Sequence, residues 1–183
     1  MATIRAWPDH LLTLAEWDGL APVERHRMEL AEGVLQVSPR PSSRHQLVSS
    51  QLAAALDTAL RPAWRALPEV ELTVDPAEPP TVRVPDVVVV RAGAVGARSR
   101  LDVADVLVVV EVLSPGSRRA DRVAKLAEYA EAGVPHYLVA EPGPPVVLTE
   151  FRLVDGSLVA VGEHRGRARL ALDPAVVLDL DRF

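Results

Sequence analysis

The chain has 183 residues but no cysteine, and Lys125 is the only lysine among its 20 basic residues. Without cysteine the protein can form no disulfide, thiolate metal site or cysteine nucleophile, so a bound metal would need oxygen ligands or the five histidines. Such a ligand set suits hard cations such as Mg²⁺. A compact ammonium, which can orient a water molecule and whose pKa responds to its surroundings, differs chemically from a guanidinium, which is always charged. Lys125 is therefore either a functional group or the accidental survivor of a bias toward arginine.

Long apolar runs are also missing, since no stretch reaches the roughly 20 residues that a bilayer-spanning helix needs. The N-terminal residues MATIRAWPDH show no signal-peptide pattern, so we expect a cytoplasmic protein without a membrane partner. The formal net charge of −5 argues against a broad electrostatic footprint for nucleic acid but permits a local basic face. A hydrophobic content of 49% over this length predicts one globular domain that spans residues 1–183.

The pattern of apolar residues predicts a mixed α/β fold. Ser43 with Gln46 three residues later is a capping-box pattern that begins a helix, and valine-rich segments indicate strands. The predicted elements are a hairpin over 27–38, a helix over 43–61, strands over 69–74, 82–93 and 106–113, a helix over 118–131, a strand over 134–140 and a hairpin around Asp155-Gly156. The core order is helix, three strands, helix, strand. Helices would cover a mixed sheet, with one hairpin toward each terminus.

Two acidic residues stand in the valine-rich strands, where burial makes each of them costly unless a partner is present. Asp86 follows Pro85 at the start of one strand, and Glu111 lies late in the next. If these strands are neighbours, the carboxylates converge and can hold a divalent cation, and we expect burial and mutual repulsion to raise the pKa of each. Lys125 close by would complete a site for attack of water on a phosphodiester. The alternative is that each acid is simply solvated at a strand end.

Several segments together resemble one known family. The matching residues are MELAEG at 28–33, His45, Val84-Pro85-Asp86, VEVLSP at 110–115, Asp121 with Lys125, Tyr129, and AGVPHY at 132–137. With them, residues 24–141 resemble the Uma-two family of restriction endonuclease-like proteins in the PD-(D/E)XK nuclease superfamily. The resemblance implies an αβββαβ core and a magnesium- or manganese-dependent endonuclease that cleaves nucleic acid as a homodimer. We expect DNA rather than RNA as the substrate, although the sequence does not separate the two. It also implies Asp86 and Glu111 as metal ligands and Lys125 as the catalytic lysine.

One position departs from the superfamily pattern, which has a lysine two residues after the glutamate, where this chain has Leu113. The role of that lysine would then have moved to Lys125 on the following helix. The apolar residues of that helix share a face that lies far from Lys125, namely Val123, Leu126, Ala127 and Ala130. A solvated lysine that pairs with Asp121 at i,i+4 is the alternative.

Glu29 and His45 are further candidates for the catalytic site. Glu29 is either a third acid of the site or part of the polar face of a hairpin. His45 lies on the apolar face near the start of its helix, so it points inward, either as a hydrogen-bonded core group or into the site. Other functions stay open, namely a catalytically inactive nucleic-acid-binding or dimerisation module with the same fold, or a phosphodiesterase that acts on a small substrate.

Overall fold

The computed structural model describes residues 8–23, 26–96, 100–114 and 118–183, with the backbone alone for 118–122. Helices α1 to α3 comprise Leu14–Asp18, Ser43–Leu60 and Arg118–Glu131. Strands β1 to β13 comprise His26–Ala31, Val34–Pro39, Trp64–Pro68, Glu71–Asp75, Thr81–Arg83, Val87–Arg91, Arg100–Asp102, Val106–Val112, His136–Glu141, Val147–Val154, Ser157–His164, Arg167–Leu170 and Val176–Asp179. Three short 3₁₀ helices comprise Ala92–Ala94, Val103–Asp105 and Leu180–Arg182.

The larger sheet is mixed and has the strand order β11-β10-β9-β8-β6-β3. Strands β8 and β9 run parallel and are joined through α3, whereas the other neighbours are antiparallel. Along the chain, α2, β3, β6, β8, α3 and β9 follow one another as helix, three strands, helix and strand. The predicted αβββαβ core is therefore confirmed. No helix in the described ranges is long and apolar enough to cross a membrane.

The first strand of this core differs from the predicted one. We predicted residues 69–74, but the core strand is Trp64–Pro68, and the chain then turns at Glu69, whose φ is 50°. The next strand, Glu71–Asp75, belongs to a second sheet with the order β2-β1-β5-β4-β7. The alternation of charged and apolar residues therefore predicted a strand correctly, but such a pattern does not indicate which sheet the strand joins.

The valine-rich segment predicted as one strand over 82–93 is two strands in different sheets. The ladder is interrupted at Pro85, since proline has no backbone N–H to donate, and Asp86 begins the turn into β6. A smaller difference concerns α2, whose N-cap is Ser42 rather than Ser43, because the Ser42 side chain accepts the hydrogen bond from the His45 N–H.

Both faces of the larger sheet are covered, which explains the unbroken valine runs of β6 and β8. On one face, Val87 and Val89 pack with Leu52 and Leu56 of α2, all fully buried. On the other face, Val88 packs in a cluster that contains Tyr129 of α3. Alternate residues of one strand therefore enter opposite halves of the core.

The register of β6 and β8 determines where the two acids lie. Val87 pairs with Val110 in this antiparallel ladder. Extended by one position, this register sets Asp86, the residue before β6, opposite Glu111 at one end of the two strands. The convergence of the two carboxylates follows from this pairing.

Candidate active site

A cleft of about 540 Å³ opens above the end of the sheet where Asp86 and Glu111 lie. The β1–β2 hairpin, the start of α2 and the helix α3 surround it. Its charged lining consists of Arg27, Glu29, Arg40, His45, Arg83, Asp86, Glu111 and Lys125. All five residues that the sequence proposed for the site thus line one cleft, together with three arginines that it did not propose.

Asp86 is buried, with an exposed fraction of 1%. Both of its carboxylate oxygens have partners. Its Oδ1 lies 2.6 Å from Nη2 of Arg27. Its Oδ2 accepts the Val112 N–H at 2.6 Å and lies 3.1 Å from Nε2 of His45. Burial alone would raise the pKa of Asp86, but the His45 hydrogen bond and the Arg27 charge outweigh it, so the pKa lies below its usual value. The expectation of a raised pKa is therefore wrong for Asp86, because these two partners were not anticipated.

Glu111 is equally buried but has different partners. Its Oε1 accepts hydrogen bonds from Nζ of Lys125 at 2.8 Å and from the Tyr129 hydroxyl at 3.0 Å. Burial raises the pKa of Glu111 to about 7, since the opposing Lys125 charge does not offset burial together with the nearby Asp86 and Glu29 carboxylates. The upward shift expected from the sequence is confirmed here. Both hydrogen bonds that Glu111 makes to described residues end on Oε1, which leaves Oε2 available to the cleft.

Lys125 is buried, with an exposed fraction of 8%, so the interpretation as a solvated lysine is wrong. The predicted apolar face of α3 was misjudged, because Val123 on that face is 67% exposed. Lys125 and Tyr129 instead lie one turn apart on a buried face, and both reach Glu111. The i,i+4 spacing of these two polar residues was the signal that could have revealed this face. The side chain of Asp121 lies outside the described part of the structure.

Glu29 belongs to the buried lining of the cleft rather than to a solvated face of the hairpin. Its Oε1 accepts the Val84 N–H at 2.9 Å and lies 3.5 Å from Nζ of Lys125. Its Oε2 lies 3.3 Å from Nη1 of Arg83. Arg83 is itself held by two hydrogen bonds to Glu128 on α3, at 2.7 and 2.5 Å. Glu29 therefore connects the hairpin to Lys125 and, through Arg83, to α3.

His45 is both a hydrogen-bonded interior group and a member of the cleft. Burial lowers the pKa of His45, but its hydrogen bond with Asp86 outweighs this and the pKa lies above its usual value. The Ser49 hydroxyl lies 3.4 Å from Nδ1 of the same ring. Arg27, which the sequence did not propose, lies two residues before Glu29 on β1 and so faces the same side of the strand.

The donor set suits a hard divalent cation that keeps part of its water shell. Within the described ranges, no group of three or more His, Cys, Asp and Glu side chains is placed to hold a metal. Mg²⁺, however, is commonly held by one or two carboxylates with water as the remaining ligands. Among the described residues, Oε2 of Glu111 has no hydrogen-bond partner, and Oδ1 of Asp86 accepts from Arg27 alone, which leaves it a lone pair. Asp86 and Glu111 therefore fit such a cation, although the Arg27 charge opposes it.

The order of elements and the sheet topology place the molecule among proteins with a restriction-endonuclease-like core. The chain belongs to the Uma2 family, whose model, described as "Putative restriction endonuclease", matches residues 14–181. A solved structure with similar fold is that of a putative nuclease of the DUF820 group from Anabaena variabilis. It shares 16% sequence identity at a TM-score of 0.70, over 93% of this chain and 96% of that chain. No curated protein matches the sequence.

Replacement of Lys125 by methionine should destabilise the fold far more than loss of an exposed ion pair. The buried Glu111 would lose its countercharge, which costs about 3 kcal/mol when Glu111 is ionised. The cost should be greatest above about pH 7, where Glu111 of the wild type is ionised beside Lys125, and should shrink at lower pH, where Glu111 is protonated in both proteins. Urea unfolding at mildly alkaline and mildly acidic pH measures both effects.

The matched control is Arg182→Ala, which removes the exposed 2.9 Å ion pair with Asp179. It should cost less than about 1 kcal/mol at either pH. Equal free energies of unfolding for Lys125→Met and Arg182→Ala would show that Lys125 is not paired with a buried charge.

Proposed function

We propose that the protein is a metal-dependent endonuclease that hydrolyses phosphodiester bonds in nucleic acid, with DNA preferred over RNA and Mg²⁺ or Mn²⁺ as cofactor. The observation that carries the proposal is the convergence of Asp86, Glu111 and Lys125 in one cleft of a chain from this family. We further propose that residues 1–183 act as one nuclease-like domain in the cytoplasm.

In this proposal, Asp86 and Glu111 hold the cation at the end of the sheet. When bound, such a cation supplies Lewis-acid stabilisation of the charge that develops on the phosphate oxygens. His45 and the Val112 N–H hold Oδ2 of Asp86 and so determine which way its carboxylate faces. The low pKa of Asp86 keeps this ligand negatively charged at neutral pH.

Lys125 is proposed to orient the attacking water or to neutralise negative charge on the phosphate. Its ammonium lies in the cleft, 2.8 Å from Oε1 of Glu111 and 3.5 Å from Oε1 of Glu29. In hydrolysis the oxygen of water bonds to phosphorus, the bond to the leaving sugar oxygen breaks, and that oxygen takes up a proton. An ammonium that is already held in place beside the reacting phosphate stabilises this change in charge more strongly than a mobile ion in water would.

Metal binding should depend on both acids and on pH. Calorimetric titration with Mn²⁺ should give one site, and Asp86→Ala and Glu111→Ala should each reduce its affinity strongly. The affinity of the wild type should fall as the pH drops below about 7, because the cation must then displace a proton from Glu111. Unchanged affinity in both variants, or no pH dependence between about pH 6 and about pH 8, would place the site elsewhere.

Cleavage should require Lys125 even when the metal is bound. Wild-type protein should nick or linearise plasmid DNA in Mg²⁺ or Mn²⁺ and act more weakly on structured RNA, whereas Asp86→Ala should be inactive. Lys125→Ala should lose cleavage while it still binds Mn²⁺, because both carboxylates remain. Lys125→Arg should also fail, since the planar guanidinium is larger and cannot give up its charge. Arg182→Ala should cleave at the wild-type rate.

Full activity of Lys125→Ala at saturating metal would remove Lys125 from the mechanism and leave a site that uses metal and acids alone. Metal binding by a folded wild type that cuts neither nucleic acid would instead favour the non-catalytic binding or dimerisation module.

We also propose that the protein acts as a homodimer, because two active sites related by a two-fold axis match the two strands of a duplex. Light scattering of the purified protein at micromolar concentration should therefore give about twice the chain mass of 19.8 kDa. A particle of single-chain mass over the whole concentration range would contradict this.

A further inference from the structure

The geometry points to Arg27 as a built-in competitor of the metal: its guanidinium binds the same oxygen of Asp86 that a cation would bind, and it moves into a neighbouring pocket when a cation binds. This inference rests on the proposed metal site and concerns how strongly that site binds. Arg27 is accordingly a positioning residue that acts through Asp86.

Only one carboxylate oxygen of Asp86, Oδ1, is placed to bind a cation, and Arg27 is bound to that oxygen. Oδ2 already has two partners, the Val112 N–H and Nε2 of His45, so it has little capacity left to bind a cation. Among the described residues, Oδ1 has one partner, Nη2 of Arg27 at 2.6 Å. A divalent cation on Oδ1 would stand within a few ångströms of a group that cannot lose its positive charge. Repulsion between like charges at that distance is large even at the effective dielectric of a protein surface.

A second pocket gives Arg27 another place to lie. This side pocket has a volume of about 340 Å³ and is adjacent to the cleft, with Arg27, Arg40 and Pro41 in the lining of both. Two carboxylates line the side pocket, Glu69 and Glu71. Nη2 of Arg27 already lies 3.0 Å from Oε1 of Glu69, which is about half exposed. Rotation of the guanidinium away from Asp86 would thus preserve an ion pair with Glu69.

The two positions differ in what they do to the cleft. With Arg27 on Asp86, the buried carboxylate is neutralised without a metal, which stabilises the empty site. With Arg27 beside Glu69, Asp86 is uncovered for the cation. The free energy that holds Arg27 on Asp86 must be overcome before the metal binds, so the apparent metal affinity is lower than the carboxylates alone would give.

The test measures Mn²⁺ affinity rather than cleavage. Arg27→Ala should bind Mn²⁺ at least about tenfold more tightly than wild type in calorimetric titration, because a unit charge next to the ion has been removed. Arg27→Lys keeps the charge and should stay within about threefold of wild type. Arg40→Ala, which removes an exposed cation from the lining of the same cleft, should also stay within about threefold.

Thermal unfolding provides a second measurement if Arg27→Ala is less stable. Without metal, this variant should melt below wild type, since Asp86 loses its ion pair. Saturating Mn²⁺ should then raise its Tm by more than it raises that of wild type, because a tighter ligand stabilises the folded state more. A purely structural role for Arg27 predicts lost affinity or no change, never a gain.

The outcomes separate this inference from the proposed function. If Asp86→Ala abolishes Mn²⁺ binding but Arg27→Ala binds no more tightly than wild type, Arg27 is not a competitor and the metal site stands. An equal gain in Arg40→Ala would reduce the effect to overall charge and also refute the role of Arg27. If neither wild type nor Arg27→Ala binds Mn²⁺, both the inference and the metal site are wrong.

Discussion

The need to pair every charge buried beneath the cleft determines how this molecule is assembled. Asp86, Glu111 and Glu29 are almost inaccessible to water, and an unpaired carboxylate at such a depth would be strongly destabilising. Each therefore has at least one basic partner from elsewhere in the chain. The partners are Arg27 from β1, His45 from α2, Arg83 from β5 and Lys125 from α3. The same contacts that neutralise the site thus join the hairpin and two helices to the larger sheet.

The two central acids show how partners, rather than depth, determine protonation. Asp86 accepts from a guanidinium, an imidazole and a backbone N–H, and its pKa falls below its usual value. Glu111 accepts hydrogen bonds from the ammonium of Lys125 and the hydroxyl of Tyr129. Because it is buried and two other carboxylates lie near it, its pKa rises to about 7. One acid is therefore a permanent anion at neutral pH, and the other exchanges a proton in that range. Neighbouring groups with such different pKa values are characteristic of functional sites.

The sequence predicted those features that depend on local pattern. The bounds of α3 at residues 118–131 and the valine-rich strand from Val106 follow from periodicity and side-chain type. The assignment of strands to sheets does not, because Glu71–Asp75 has the same alternation in either sheet. Arg27 was missed for a related reason: 59 positions separate it from Asp86, and no local pattern indicates that contact. The buried face of α3 was misjudged because the sequence cannot indicate that Glu29 of β1 and Arg83 of β5 contact Lys125 and Glu128 on that helix.

Lys125 lies on α3 and not on the strand that carries Glu111, so their contact depends on how the helix packs. In the superfamily pattern the lysine follows the glutamate by two residues, so the backbone of one strand sets their separation. Here that position holds Leu113, which is buried in the apolar cluster of Tyr129. Lys125 reaches Glu111 from α3 instead, and their 2.8 Å contact exists only when the helix is packed against the sheet. Tyr129 contributes to both, since its ring fills the core and its hydroxyl binds Glu111. Docking of α3 and assembly of the charged site are consequently the same event.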